Sequence, residues 1–203
     1  MGVKERRDRE RLELKQAILS AAREIAATEG WPEVTIRKVA EKIEYSPPTI
    51  YEYFDSKEAL LEEETQEAFR LLLADLEAAR SAHPDPRERI RAMGQAYWTF
   101  VWRYPELYQV MSGLGGVDFC QPDKPHEQGE QVMRLFSEAL QAVVPPAHRN
   151  VEEVTSKVVT LWSLFHGFIA LLMAGRIPMA ERDHAMHLAF QAVDDLMTAW
   201  GAA

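Results

Sequence analysis

The sequence predicts an all-α protein, and three observations predict it. Apolar residues recur at helical spacing along almost the whole chain, no stretch alternates like a half-buried strand, and capping residues precede the apolar runs. With 47% hydrophobic residues, 203 residues are enough for a packed core and exclude a mostly disordered chain. That length predicts two closely packed domains, read here as 1–55 and 56–203.

Taken in order, Leu14, Ile18, Ala22 and Ile25 mark one face of a first helix, stopped near Gly30. Thr35 is placed to cap a short helix over Ile36–Ile43, with Ile36, Val39, Ala40 and Ile43 on its apolar side. After Glu44 and Tyr45, Ser46 reads as a second cap. Pro47 and Pro48 follow in a first turn that tolerates proline, opening a third helix to about Tyr53. Ser56 caps a long fourth helix that buries Leu61, Ala68, Leu72, Leu76 and Ala79.

Asp85, Pro86 and Glu88 stand in the order of cap, N1 proline and capping-box acid, and a fifth helix carries Ile90, Met93, Tyr97 and Val101. A short helix runs from Pro105 through Met111, and Ser112 to Gln128 reads as a mobile loop. A helix over about 130–143 ends at Pro145-Pro146. Asn150 and Glu153 open the long apolar helix to about Gly175, and a last helix carries Met186, Ala189, Phe190, Val193, Met197 and Trp200.

Charge and cysteine narrow the classes. The net charge is −9, but residues 1–58 hold 11 Lys/Arg against 12 Asp/Glu, so the acidity lies in the rest of the chain. A near-neutral N-terminal part permits contact with a polyanion there. The single cysteine, Cys120, excludes a disulfide framework and a multi-cysteine zinc site, and with no basic neighbour closer than Lys124 it reads as an incidental thiol. The charged N-terminus is no signal peptide, and Arg6 breaks a myristoylation signal. Residues 158–174 carry no formal charge but fall short of a membrane span, so the expectation is a cytoplasmic protein with no membrane partner.

Catalysis finds no support in the motifs. G-x-S-x-G, H-E-x-x-H, a Walker loop and G-x-G-x-x-G are all absent, and the Gly113–Gly116 run has no strand before it. No cofactor or metal is expected, because His166 has no second ligand one turn away. The chain reads as a non-enzyme.

What carries function is the arrangement of the first 54 residues: three helices with the tight turn Glu44-Tyr45-Ser46 between the second and third. That is a helix-turn-helix, which lays its second helix in a DNA major groove about 12 Å wide. Residues facing the groove must be short, or rigid and amphipathic. Pro47, Pro48, Thr49, Tyr51 and Tyr53 fit, because Ile50 and Phe54 already supply the buried side.

The run SPPTIYEYFDSKEAL (Ser46 to Leu60), within a stretch of about residues 15–61, resembles the DNA-binding domain of the TetR (tetracycline-repressor) family of transcriptional regulators. The resemblance implies a homodimeric regulator with a three-helix DNA head and a C-terminal domain for ligand and dimer contacts. It implies that Thr35 touches phosphate, that Arg37 reaches a base or phosphate, and that Ser46 joins the interface. Pro47, Pro48 and Thr49 would face bases, Tyr51 and Tyr53 would hold the backbone, and Lys57 would pair with a phosphate. Two positions depart from the family: Glu44 stands where glycine is usual and suits a left-handed backbone, and Asp55 stands where a base is frequent. Trp162, His166 and Gly167, with Tyr104 to Tyr108, are similar to a signature of one TetR subgroup.

In the C-terminal part, Tyr97, Trp98, Phe100, Met111, Trp162, Phe165 and His166 are the candidate lining of a pocket for a small, mainly apolar effector. Each alone reads as ordinary helix-bundle core. The two long final helices hold more apolar surface than one bundle buries, which makes them the expected dimer interface. Two heads about 34–36 Å apart would read a near-palindromic DNA operator, released when the effector binds. A protein-interaction module with a degenerate DNA head is the competing reading, resting on Glu44, Asp55 and the near-neutral head.

Overall fold

The computed structural model describes residues 3–117 and 127–201. Nine α-helices are present among them: α1 (Val3–Glu29), α2 (Ile36–Lys42), α3 (Pro47–Tyr51), α4 (Lys57–Ala82), α5 (Pro86–Arg103), α6 (Pro105–Ser112), α7 (Glu127–Gln141), α8 (Val151–Met173) and α9 (Arg182–Gly201). The described residues contain no strand, in agreement with the all-α expectation.

The predicted caps are made by the atoms expected of them, with one exception. Thr35 Oγ1 accepts the Lys38 amide at 3.2 Å, and Ser56 Oγ accepts that of Ala59 at 3.2 Å. Asp85 Oδ1 takes two amides, from Arg87 and Glu88, at 2.9 Å each. Asn150 Oδ1 accepts the Glu153 amide at 2.9 Å, and its Nδ2 donates back to the Glu153 carboxylate at 2.7 Å. These bonds satisfy amides that have no partner inside their own helix. Ser46 is the exception: its side chain makes no cap bond, and its hydroxyl lies 3.0 Å from that of Thr49.

The described residues fall into two compact units, one within Met1–Ala68 and Tyr104–Asp123, the other within Phe69–Arg103 and Lys124–Ala203. The first therefore extends past the expected boundary at residue 55 and takes in α6. The reason is packing: Val110 and Val117 are buried in the same cluster as Ile18, Val39, Ile50 and Phe54. The buried Trp31 adds a polar tie, since its indole N–H donates to the Glu106 carbonyl at 2.9 Å.

Three local expectations are corrected. α3 stops at Tyr51 rather than Tyr53, and α7 already begins at Glu127. Of the stretch 112–128 read as a mobile loop, Gly113 is the left-handed cap of α6, and Val117 is buried. Residues 118–126, with Cys120, lie outside the described residues.

In the second unit α5 is the central helix, packed against α7, α8 and α9. Gly94 lets two aromatic rings approach its backbone: a Cβ there would stand 2.8 Å from Phe165 Cζ and 3.2 Å from Phe190 Cε1. α8 buries Val154, Val158, Leu161, Phe165, Ile169 and Leu172, a stripe at steps of three and four residues. It is long and apolar enough to cross a membrane by length and composition, yet Glu152, Glu153 and Lys157 lie in its first two turns and its stripe packs on protein.

Candidate nucleic-acid interface

The turn between α2 and α3 is set by one backbone torsion. Glu44 has φ 60°, the left-handed region, and it is the non-glycine residue found there among the described residues. The Tyr45 amide then reaches back to the Ala40 carbonyl at 2.9 Å, closing α2 as a glycine-type cap would. Glutamate in this conformation carries a steric cost that glycine would not.

α3 is oriented by what it buries. Ile50 and Phe54 are fully packed, so the opposite side of this short helix turns to solvent. Ser46, Pro47, Pro48 and Tyr51 are exposed there, Thr49 is half-buried, and the Tyr51 side is open at 52%. Thr35 and Arg37 at the start of α2 are exposed as well. The first unit thus presents most of the expected interface residues to solvent.

Two residues sit differently from the expectation of a free phosphate contact. Tyr53 is half-buried against the head core, with the Arg11 guanidinium 5.7 Å from its ring centroid. Lys57 is anchored: its ammonium donates to the carbonyls of Trp31 at 3.0 Å and Pro32 at 3.3 Å, and burial lowers its pKa from the ordinary lysine value. That amine already bridges the start of α4 to the Trp31 turn. Conversely Tyr45, read only as a turn residue, is 49% exposed immediately before α3.

The expected effector residues divide between the units. Met111 lies on α6, in the first; the other six lie in the second. Tyr97, Trp98, Phe100 and Phe165 are buried, and the Tyr97 and Phe165 rings stand 6.1 Å apart. Trp162 is 48% exposed on α8, with its ring 5.6 Å from that of His166, whose pKa burial lowers. Trp102 Nε1 is buried without a hydrogen-bond partner. A separate cleft of about 900 Å³ opens between α4, α5 and α9, with Ala79, Ala92, Ala96 and Phe190 beside Asp75, Arg91 and Arg103. None of the seven expected pocket residues lines it.

Comparison with known proteins points the same way as the geometry. A family model described as the tetracyclin repressor-like C-terminal domain matches residues 90–196, and one for bacterial regulatory proteins of the tetR family matches residues 18–63. An uncharacterized HTH-type transcriptional regulator from Haemophilus influenzae is 30% identical over 95 residues. That match spans 47% of this chain and about half, 51%, of the relative. The structure of a protein with unknown function from Rhodococcus sp. RHA1 superposes with a TM-score of 0.73 at 21% identity, covering 93% of this chain and 95% of the other. A TetR family transcriptional regulator, PfmR from Thermus thermophilus, gives 0.61 at 21% identity, covering 89% and 97%. At such identities the likeness is one of fold.

Proposed function

Because the chain belongs to the tetracycline-repressor family of bacterial regulatory proteins, we propose that it is a DNA-binding transcriptional regulator, a homodimeric repressor that leaves its operator when a small effector binds. The observation that carries this reading is the solvent-facing side of α3. A five-residue helix has little reason to expose Pro47, Pro48 and Tyr51 together unless a partner covers them. Proline rings and the threonine methyl suit thymine methyls, and the hydroxyls of Thr35, Thr49 and Tyr51 suit phosphate oxygens.

Dimerisation through α8 and α9 is supported by what the single chain leaves open. Val159, Trp162 and Leu171 on α8 and Leu188 on α9 are large, apolar and at least 40% exposed. An isologous helix pair would cover them. The effector is a small, mainly apolar molecule held among the second unit's aromatic residues, where the unpaired Trp102 N–H offers one polar anchor. α4 carries residues of both units, so an effector that favours one setting of that helix would shift DNA affinity. Such a protein works in the cytoplasm, where its DNA is.

The test is selection of duplexes from a random library by the purified chain, followed by affinity measurement across salt concentrations. Enrichment of a near-palindrome, with affinity falling steeply in salt, supports the reading. A chain that retains no duplex at low salt is an interaction module instead.

A further inference from the structure

The first 58 residues hold 11 lysines and arginines, and the structure commits most of them to partners. Lys15 and Arg23 pair with Glu63 and Glu64 at 2.6 Å each. Lys38 pairs with Glu29 and Glu33, Lys42 with Glu24, and Arg6 and Arg9 face Glu10 and Glu13 one turn on. Lys57 is held by two carbonyls. Among the described residues Lys4, Arg7, Arg11 and Arg37 have no carboxylate partner.

Three of these four share one stripe of one helix. Positions 4, 7 and 11 follow helical spacing, and the stripe continues into Lys15 and then the buried Ile18, Ala22 and Ile25. The face of α1 that enters the head core is therefore basic over its first turns. Nothing apolar occupies that part of the stripe, so the extension does not serve the core. It spans about 10 Å from Lys4 to Arg11 at 1.5 Å per residue. Its inner end is fixed: Arg11 stacks over Tyr53, two residues beyond α3. Stacking holds the guanidinium plane while leaving its N–H edge free. Asp8 borders the stripe without an ion pair to it.

We propose that Lys4, Arg7 and Arg11 form a second DNA-backbone contact, a line of cations that follows phosphates beyond the groove entered by α3. This rests on the DNA-binding reading. A line of separated cations, two of them guanidinium forks suited to phosphate, matches an extended polyanion better than a compact anion. It also adds to Arg37 the charge that Lys15, Arg23, Lys38 and Lys42 have spent on the head's and α4's own carboxylates.

The experiment is a salt titration of the full chain on two duplexes, one of random sequence and one enriched by selection. Arg7→Gln, whose side chain has no other partner among the described residues, is expected to make the log–log salt slope shallower by about 0.9. Arg7→Gln with Arg11→Gln should change it by about 1.8, equally on both duplexes because phosphate contacts read no sequence. The matching Arg→Lys pair should restore the slope, which separates lost charge from a disturbed Tyr53. If the wild-type chain binds and both glutamine variants keep its slope, the stripe is overturned and the regulator reading stays intact. Wild-type chain that binds neither duplex overturns both.

Discussion

The guanidinium of Arg23 on α1 donates from Nε to the Glu64 carboxylate on α4 at 2.6 Å, and that carboxylate has no measurable exposure. Its second oxygen, Oε1, is buried without a partner. Burial pushes the Glu64 pKa up to about 7 although Arg23 pulls it down, so desolvation outweighs the ion pair.

A pH dependence of stability follows from that balance. The folded chain holds the Glu64 proton more tightly than the unfolded one, whose carboxyl titrates near 4.5. Below that value both states are protonated and the group is neutral to stability. Between it and about 7 the folded state binds more protons, so stability falls as pH rises. Melting followed by circular dichroism should give a lower Tm at pH 8 than at pH 5.5, and Glu64→Gln should flatten that difference while still accepting a bond from Arg23. An equal slope in the variant would place the effect elsewhere.

Tyr51→Phe removes the exposed hydroxyl and keeps the ring. Duplex affinity should fall by about 0.5–1.5 kcal/mol, the worth of one hydrogen bond, with melting unchanged. Unchanged affinity in a gel-shift series would take Tyr51 out of the interface.

Glu44→Gly exchanges a strained residue for one at home at φ 60°. The relief of about 1–2 kcal/mol is partly offset by about 0.5–1 kcal/mol of added freedom in the unfolded chain. The expected result is a modest gain in urea midpoint. A lower midpoint would mean that the glutamate side chain contributes more than its backbone costs.

Trp162→Glu places a charge on the half-open face of α8 without entering the core. Sedimentation should show a dimer for the wild-type chain and a monomer for the variant, both helical. A variant that stays dimeric would move the interface off this face. Phe190 on α9 would not serve the same test, because it is buried and meets Phe165 edge-on with centroids 5.4 Å apart, so its substitution reports on folding instead.

The sequence disclosed features governed by neighbours along the chain. The caps at Thr35, Ser56, Asp85 and Asn150 depend on residues two or three positions away, and the inward side of α3 on Ile50 and Phe54 four apart. The left-handed turn at Glu44 was legible for the same reason. Glu64 was hidden because it stands in a run of glutamates that reads as a solvated face, and only packing against α1 shows it buried. The anchoring of Lys57 on Trp31 and Pro32 joins residues about 25 apart, and the Trp31–Glu106 bond spans 75. No local pattern encodes such pairings.

That last bond bears on how the protein could be re-engineered or recombined. The DNA-reading part is not a continuous cassette, because its interior is finished by Val110 and Val117 from a segment that returns after α5. A chimera joined at residue 55 would inherit a tryptophan with an orphaned N–H and a hollow where two valines belonged. Swapping specificities between such regulators takes three crossovers, one within α4 and two flanking α6, and a graft made with only the first exchanges the reading surface while discarding part of its floor.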